Sequence, residues 1–252
     1  MRLRDAVDAG QGQAAEAATA RARERIMRDT SPGARAGRRS LCAMAAVLLV
    51  GCAASRPAPI AVEAARRSPP GATVNIEGVV TVPPGLFASF TGDKGFAVED
   101  TSGGIYVALS GTASAPLGQS VRVTGRVSDI AQLVALSTHP ELVTPALPRR
   151  PAPPTPIKTG SVGPATEGRL VEIHGAITRP VGDDRPYGYK ITVDDGSGET
   201  QVFVPVSTGI DPLADPALRV GRHVTVVGFS GRYQETHEVI PRFPGDLVVA
   251  GP

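Results

Sequence analysis

The chain contains the same segment twice, and this limits its fold more than any other feature. VNIEGVVT at 74–81 aligns with VEIHGAIT at 171–178, FAVEDTSG at 96–103 with ITVDDGSG at 191–198, and LGQSVRVTG at 117–125 with VGRHVTVVG at 220–228. The order is the same in both copies, and the step between the glycines of the third pair is seven residues in each. A chain of 252 residues with this duplication is expected to fold as two small domains of one architecture. In each copy the second string runs into an alternating segment, IYVAL at 105–109 and TQVFV at 200–204, the period of a half-buried strand.

Each copy therefore reads as strand, long loop, strand, tight turn, strand, connection, strand, loop, strand. The DTSG and DGSG strings are hairpin turns, in which Asp100 and Asp195 cap their own backbone and glycine supplies positive φ. Gly78, Gly125, Gly175 and Gly228 fall in mid-strand, where the wall of a small barrel must bend sharply. Gly 29 and Pro 24 together make up about a fifth of the chain and Trp is absent, which disfavours helical bundles. The predicted fold is all-β: two five-stranded OB-fold-like Greek-key barrels in tandem after a disordered or helical N-terminal leader. The expected boundaries are 71–145 and 160–250 for the barrels, with a Pro-rich linker at 146–159 (ALPRRPAPPTP over 146–156) and a tether at 53–70. The second copy carries an insert at 207–219, where Asp211 and Pro212 predict the start of a short helix.

The run GFAVEDTSGGIYV at 95–107, followed by LGQSVRVTG at 117–125, resembles the tandem OB-fold domains appended to secreted bacterial nucleases and other cell-surface proteins. VIPRFPGDL at 239–247 is similar to the closing segment of those domains. The resemblance covers about 72–249 and consists mainly of turn and core residues. It therefore implies a fold and a secreted setting more than an activity. The nuclease or phosphoesterase domain that often accompanies such domains is absent from this chain.

The N-terminal quarter reads as an address. Residues 41–50, LCAMAAVLLV, are apolar and follow Arg35, Arg38 and Arg39. The run is too short to span a bilayer but suits the core of a signal peptide. LVGC at 49–52 resembles the bacterial lipobox, which implies a signal peptide at 27–52 and acylation of Cys52, hence a membrane partner through an N-terminal lipid. The alternative is an ordinary cleaved signal in which Cys52 is incidental. By the same resemblance Ala53 directs the protein to the outer membrane, facing the periplasm or the cell surface. Residues 1–26 are expected to be a disordered or untranslated extension, with Met27 as the start. Cys42 lies within the signal and the chain has only 2 cysteines, so no disulfide framework or cysteine metal site is expected.

The chain carries no G-x-S-x-G, phosphate loop, H-E-x-x-H or C-x-x-C. His139, His174, His223 and His237 lack ligand spacing, and the pairs Asp183-Asp184 and Asp194-Asp195 are explained by turns as well as by a cation. No catalytic residue, cofactor or metal is expected. Binding is the remaining class, and the outer face of strands 2 and 3 is where OB-folds hold ligands. Alternation places Ile105, Val107, Leu109, Val202 and Val204 inside the barrels. It places Tyr106, Ala97, Glu99 and Arg122 outside in the first copy, and Lys190, Asp194, Gln201 and Phe203 outside in the second. Tyr106 and Phe203 are candidate stacking platforms, with packing against the other domain or a loop as the alternative. Arg232 and Tyr233, in the second copy's strand 4–5 loop, complete the candidate set of Tyr106, Arg122, Lys190, Phe203, Arg232 and Tyr233. Arg242 is expected to pair with Asp246 and close the barrel. Nine of the 26 Lys/Arg and five of the 24 Asp/Glu lie in residues 1–52, leaving 17 and 19, a net charge of −2. A sequence-independent nucleic-acid binder usually shows a basic excess. The expected function is thus a non-enzymatic, lipid-anchored envelope binding or adaptor protein with a protein, glycan or nucleic-acid ligand. An extracellular single-stranded nucleic-acid binder is the alternative, and a metal-dependent hydrolase is the weakest reading.

Overall fold

Alternation of buried and exposed side chains becomes two closed barrels in the computed structural model, which describes residues 58–87 and 92–250. The extension at 1–26, the signal at 27–52 and Cys52 lie outside the described residues. The first barrel is built from β1 (Thr73–Val82), β2 (Phe96–Glu99), β3 (Gly104–Leu109), β4 (Ser120–Ile130) and β5 (Leu133–Thr138). Its strand order is β1-β2-β3-β5-β4, and antiparallel pairing of β1 with β4 closes it. A short β6 (Val143–Pro145) adds to β4. Parallel pairing of β3 with β5 supplies the Greek-key crossing of an OB-fold.

The second barrel has the same plan. Its strands are β8 (Leu170–Ile177), β10 (Gly188–Asp194), β11 (Thr200–Pro205), β12 (His223–Tyr233) and β13 (Thr236–Ile240), closed by β12 against β8. β9 (Gly182–Asp184) pairs with β10, and β14 (Leu247–Val249) pairs with β12. Each barrel encloses its own core: Ile76, Val98, Ile105, Val107 and Val123 in the first, and Ile173, Ile191, Val193, Val202, Val204 and Val226 in the second. Gly78 and Gly175 sit where the first strand of each barrel turns from one neighbour to the next. An added Cβ would lie 2.7 Å from the Glu99 carbonyl oxygen at Gly78 and 2.6 Å from that of Asp194 at Gly175. Close approach of backbones, as much as bending, requires glycine there.

The stretch expected to be an extended tether is folded from residue 58 onward. Ile60 bridges Ile76 in parallel and its N–H donates to the Asn75 carbonyl at 2.8 Å. A five-residue helix, α1 (Val62–Arg66), then buries Val62 and Ala65 in the first core. The β2–β3 turn holds the helix from below, since Val62 N–H donates to Asp100 Oδ2 at 3.0 Å and Glu63 N–H to Ser102 Oγ at 3.1 Å. The second barrel repeats the arrangement with the end of the Pro-rich linker. β7 (Thr155–Pro156) pairs in parallel with β8, Ile157 N–H donates to the Glu172 carbonyl at 2.9 Å, and Gly160 N–H donates to Ser197 Oγ at 2.9 Å. Thr159 Oγ1 donates to Asp195 Oδ1 at 2.8 Å. Each repeat thus begins with a strap that covers the open edge of its first strand and is gripped by a hairpin turn of its own barrel, β2–β3 in the first and β10–β11 in the second.

The insert at 207–219 forms successive Asp-capped turns, not the expected helix. Asp211 Oδ1 accepts from Leu213 and Ala214 N–H, and Asp215 Oδ1 from Ala217 N–H at 2.8 Å. Asp side chains that satisfy nearby backbone donors compete with helix propagation, and a 3-10 turn at Val206–Thr208 opens the insert. Among the described residues no helix is long and apolar enough to cross a membrane.

Candidate ligand groove on the second barrel

A third apolar cluster lies between the barrels: Val82, Phe87, Ala97, Tyr106, Leu133 and Ala135 from the first, and Phe203, Phe229 and Ile240 from the second. Tyr106 is fully buried, its ring 6.3 Å from that of Phe229 and its hydroxyl donating to Asp93 Oδ1 at 2.7 Å. Tyr106 is therefore not the stacking platform that alternation suggested. It points out of its own barrel as expected, but into the neighbouring one. Glu99 is also buried there, accepting from Leu170 N–H at 3.0 Å with Arg169 at 3.5 Å. Burial pushes its carboxyl above the ordinary range against the pull of those donors. Arg66 meets Glu167 at 2.9 Å, and Arg242 donates to the Thr81 carbonyl at 2.9 Å. The first barrel's ligand-type face is thus occupied by the second barrel.

The same positions in the second barrel have a different chemistry. In the first, Ala97, Tyr106 and Ala135 stand side by side across β2, β3 and β5. In the second, Thr192, Gln201 and Glu238 hold that register across β10, β11 and β13. Three apolar or aromatic side chains are replaced by three polar ones. Over Gln201 and Glu238 opens a groove of about 540 Å³, lined also by Asp184, Tyr187, Lys190 and Phe203, with the β12–β13 turn at 233–236 and Gly92 of the first barrel on its rim.

Glu238 is 2% exposed at the floor and takes a hydrogen bond from Gln201 Nε2 at 2.6 Å. Burial pushes its carboxyl up to about 7, with the Asp184 charge adding to the rise while Gln201 and Lys190 oppose it. Lys190 pairs with Asp184 at 3.1 Å. Tyr187 and Tyr233 are 57% and 45% exposed on the walls. Such a site can offer ring surfaces, an amide, an ammonium and a carboxyl that titrates near neutrality.

Three of the six candidates, Lys190, Phe203 and Tyr233, meet in this groove, while Tyr106, Arg122 and Arg232 do not. Arg122 Nε donates to Glu77 Oε1 at 2.8 Å, and Arg149 of the linker reaches Glu77 Oε2 at 2.9 Å. These two guanidinium groups hold the Glu77 carboxyl below its usual range. Arg232 donates to the Gln234 carbonyl at 2.7 Å and to Gln132 Oε1 across the barrel boundary, where Gln234 N–H also meets the Ala131 carbonyl at 2.8 Å. Arg232 therefore knits the two strand 4–5 turns together.

Arg242 pairs with Asp246 through two contacts of 2.8 and 3.0 Å. The acidic pairs are engaged as well: Asp183 with Arg185, which holds its carboxyl at about 2, Asp184 with Lys190, and Asp194 with the Gly196 and Gly198 N–H groups. Asp195, gripping Ser197 and Thr159, is also held at about 2. Among the described residues no three His, Cys, Asp or Glu side chains gather in metal-binding geometry. A second cavity of about 550 Å³ on the first barrel, between Leu109, Gly125, Thr138 and Leu142, has Ser110 Oγ and His139 Nδ1 at 2.6 Å on its rim.

No family model matches the chain, and no curated protein does. Solved structures similar to it include the Stn1–Ten1 complex of S. pombe, at 21% identity and TM-score 0.28, covering 33% of this chain and 59% of that one. An OBody bound to hen egg-white lysozyme is similar at 18% identity and TM-score 0.33, covering 40% of this chain and 99% of that one. A murine DNA-binding protein bound to double-stranded DNA is similar at 8% identity and TM-score 0.40, covering 71% and 97%. The OB-fold assignment rests on the strand order and barrel closure described above.

Proposed function

We propose that the protein is a non-enzymatic, lipid-anchored binding protein of the bacterial cell envelope, whose tandem OB-folds present one ligand groove on the second barrel. The observation behind this reading is the exchange of Ala97, Tyr106 and Ala135 for Thr192, Gln201 and Glu238 at one register. The first barrel packs its face away and acts as a support. The second keeps a concave, polar, aromatic-walled face of the kind that holds ligands. The anchor is proposed from the lipobox-like LVGC at 49–52, and Ala53 favours the outer membrane.

Single-stranded nucleic acid is the second reading, favoured by the exposed Tyr187 and Tyr233. It is opposed by the groove's charge, since the three carboxyl groups Asp184, Glu235 and Glu238 meet only two cations, Lys190 beside Asp184 and Arg232 beside Glu235, which leaves no positive surplus for phosphate.

One experiment tests the whole reading: crosslinking and affinity purification from envelope fractions of cells carrying the wild type, Thr236→Arg or Cys52→Ser. Thr236→Arg places a long side chain across the groove and should lose the crosslinked ligand. Cys52→Ser should move the protein out of the membrane fraction. A ligand set unchanged by Thr236→Arg would overturn the groove, and a membrane-bound Cys52→Ser would overturn the anchor.

A further inference from the structure

The deepest polar group of the groove is a carboxylate. Asp184 is already neutralised by Lys190 at 3.1 Å, and Glu235 lies 3.5 Å from Arg232. Glu238 has neither kind of partner. One oxygen accepts from Gln201, and no cation lies within ion-pair distance of either oxygen among the described residues. The nearest cation, Lys190, is already held by Asp184; a buried carboxylate so weakly compensated is costly, and a ligand cation that reaches it removes that cost. The walls suit the rest of such a ligand. Tyr187 and Tyr233 offer ring faces to a guanidinium or to the methylene stem of a long basic side chain, and Phe203 closes the end of the groove next to the barrel boundary.

Resting on the reading of this groove as the ligand site, we propose that its occupant is an extended basic segment of a protein partner, with a Lys or Arg head group paired to Glu238 and its stem lying against Tyr187 and Tyr233. The groove's surplus of carboxylates repels phosphate and attracts such a segment.

A dependence on pH follows from the setting of Glu238. The charged groups around it are Lys190 on β10, Asp184 on β9 and Glu235 on the β12–β13 turn, while neighbouring His237 points away to Glu167, at 3.8 Å. Because burial raises the Glu238 carboxyl to about 7, the ionised form dominates at pH 8 and the neutral form at pH 6. A cation that requires the carboxylate should bind about tenfold more weakly at pH 6 than at pH 8.

The test is fluorescence anisotropy on the full chain in low salt, with a labelled peptide of alternating Ala and Arg. Matched Gln and Glu peptides, labelled oligo-dT and a labelled chitin oligosaccharide serve as competing probes. The Arg peptide should bind at pH 8, weaken about tenfold at pH 6, and weaken at least about tenfold with Glu238→Gln, whose pH dependence should vanish. Glu238→Gln keeps an oxygen for Gln201, and far-UV circular dichroism checks its fold. Tyr233→Ala, at the rim, should weaken the peptide while leaving the pH dependence in place. No binding of the Arg peptide at ~100 µM, equal binding of the Gln peptide, or unchanged affinity in Glu238→Gln overturns the proposal. Binding of oligo-dT or the oligosaccharide in place of the Arg peptide, abolished by Thr236→Arg, overturns it while leaving the groove as a ligand site. A bound probe that is indifferent to Thr236→Arg removes the groove itself.

Discussion

Glu238 also sets the sign of a stability effect. Its carboxyl rises from an ordinary 4.5 to about 7 on folding, so between those values the native chain holds more protons than the unfolded one. The stabilising contribution is complete below 4.5 and is lost as pH rises through 7. At pH 8 the buried charge costs up to about 3 kcal/mol. Glu238→Gln should therefore be more stable than the wild type at pH 8 and nearly equal to it at pH 4.5, as read by urea unfolding at both values. A Gln variant that is less stable at pH 8 would mean that contacts to the carboxylate outweigh its desolvation. The sequence made Lys190, Phe203 and Tyr233 legible, because alternation and the OB plan place them on one face. It did not make Glu238 legible. That residue directly precedes the apolar pair Val239 and Ile240, and only cross-strand pairing with Gln201 reveals its place. Tyr106 teaches the complementary lesson: outward direction follows from period two, but exposure depends on what packs outside.

Among the elements, the straps were the least legible, and composition is the reason. Proline, alanine and arginine in 53–70 and 146–159 signal extended spacers, yet both contain Pro-Ile, at 59–60 and 156–157, and reach a positive-φ glycine twelve residues after the proline, Gly71 and Gly168. That shared spacing was the available signal. The strap's polar grips, Asp100 with Ser102 and Asp195 with Ser197, lie in turns whose sequence already accounts for them as turn residues. Covering the open edge of β1 protects a strand that would otherwise offer unpaired backbone groups to another chain. A fragment beginning at residue 71 should therefore self-associate, whereas one beginning at residue 58 should run as a single species. Sedimentation velocity of the two fragments decides the matter, and a monodisperse 71–252 fragment would show that the strap is dispensable.

At the scale of the molecule, the repeats meet head to tail: the face of one barrel receives the opening strand of the next. Backbones touch at Gly104 and Gly168, where a Cβ on Gly104 would lie 1.9 Å from the Gly168 carbonyl oxygen. Gly104→Ala should therefore force the barrels apart at a cost of about 1–3 kcal/mol, seen as a lower urea midpoint and faster proteolysis in the linker. A variant with an unaltered midpoint would show that the contact yields freely. The two-barrel plan was readable from the duplication, but the docking was not, since Glu99 and Gly104 acquire partners 71 and 64 residues away, Leu170 and Gly168, and Tyr106 packs against the other barrel only after folding. The unequal use of one face carries a consequence for how the two copies can change. Ala97, Tyr106 and Ala135 are held as interior positions, so the first copy should accept little substitution there. Gln201 and Glu238 line the groove and bond to each other rather than to the first barrel, so the second copy is the one in which a new specificity can arise without undoing the docking of the pair.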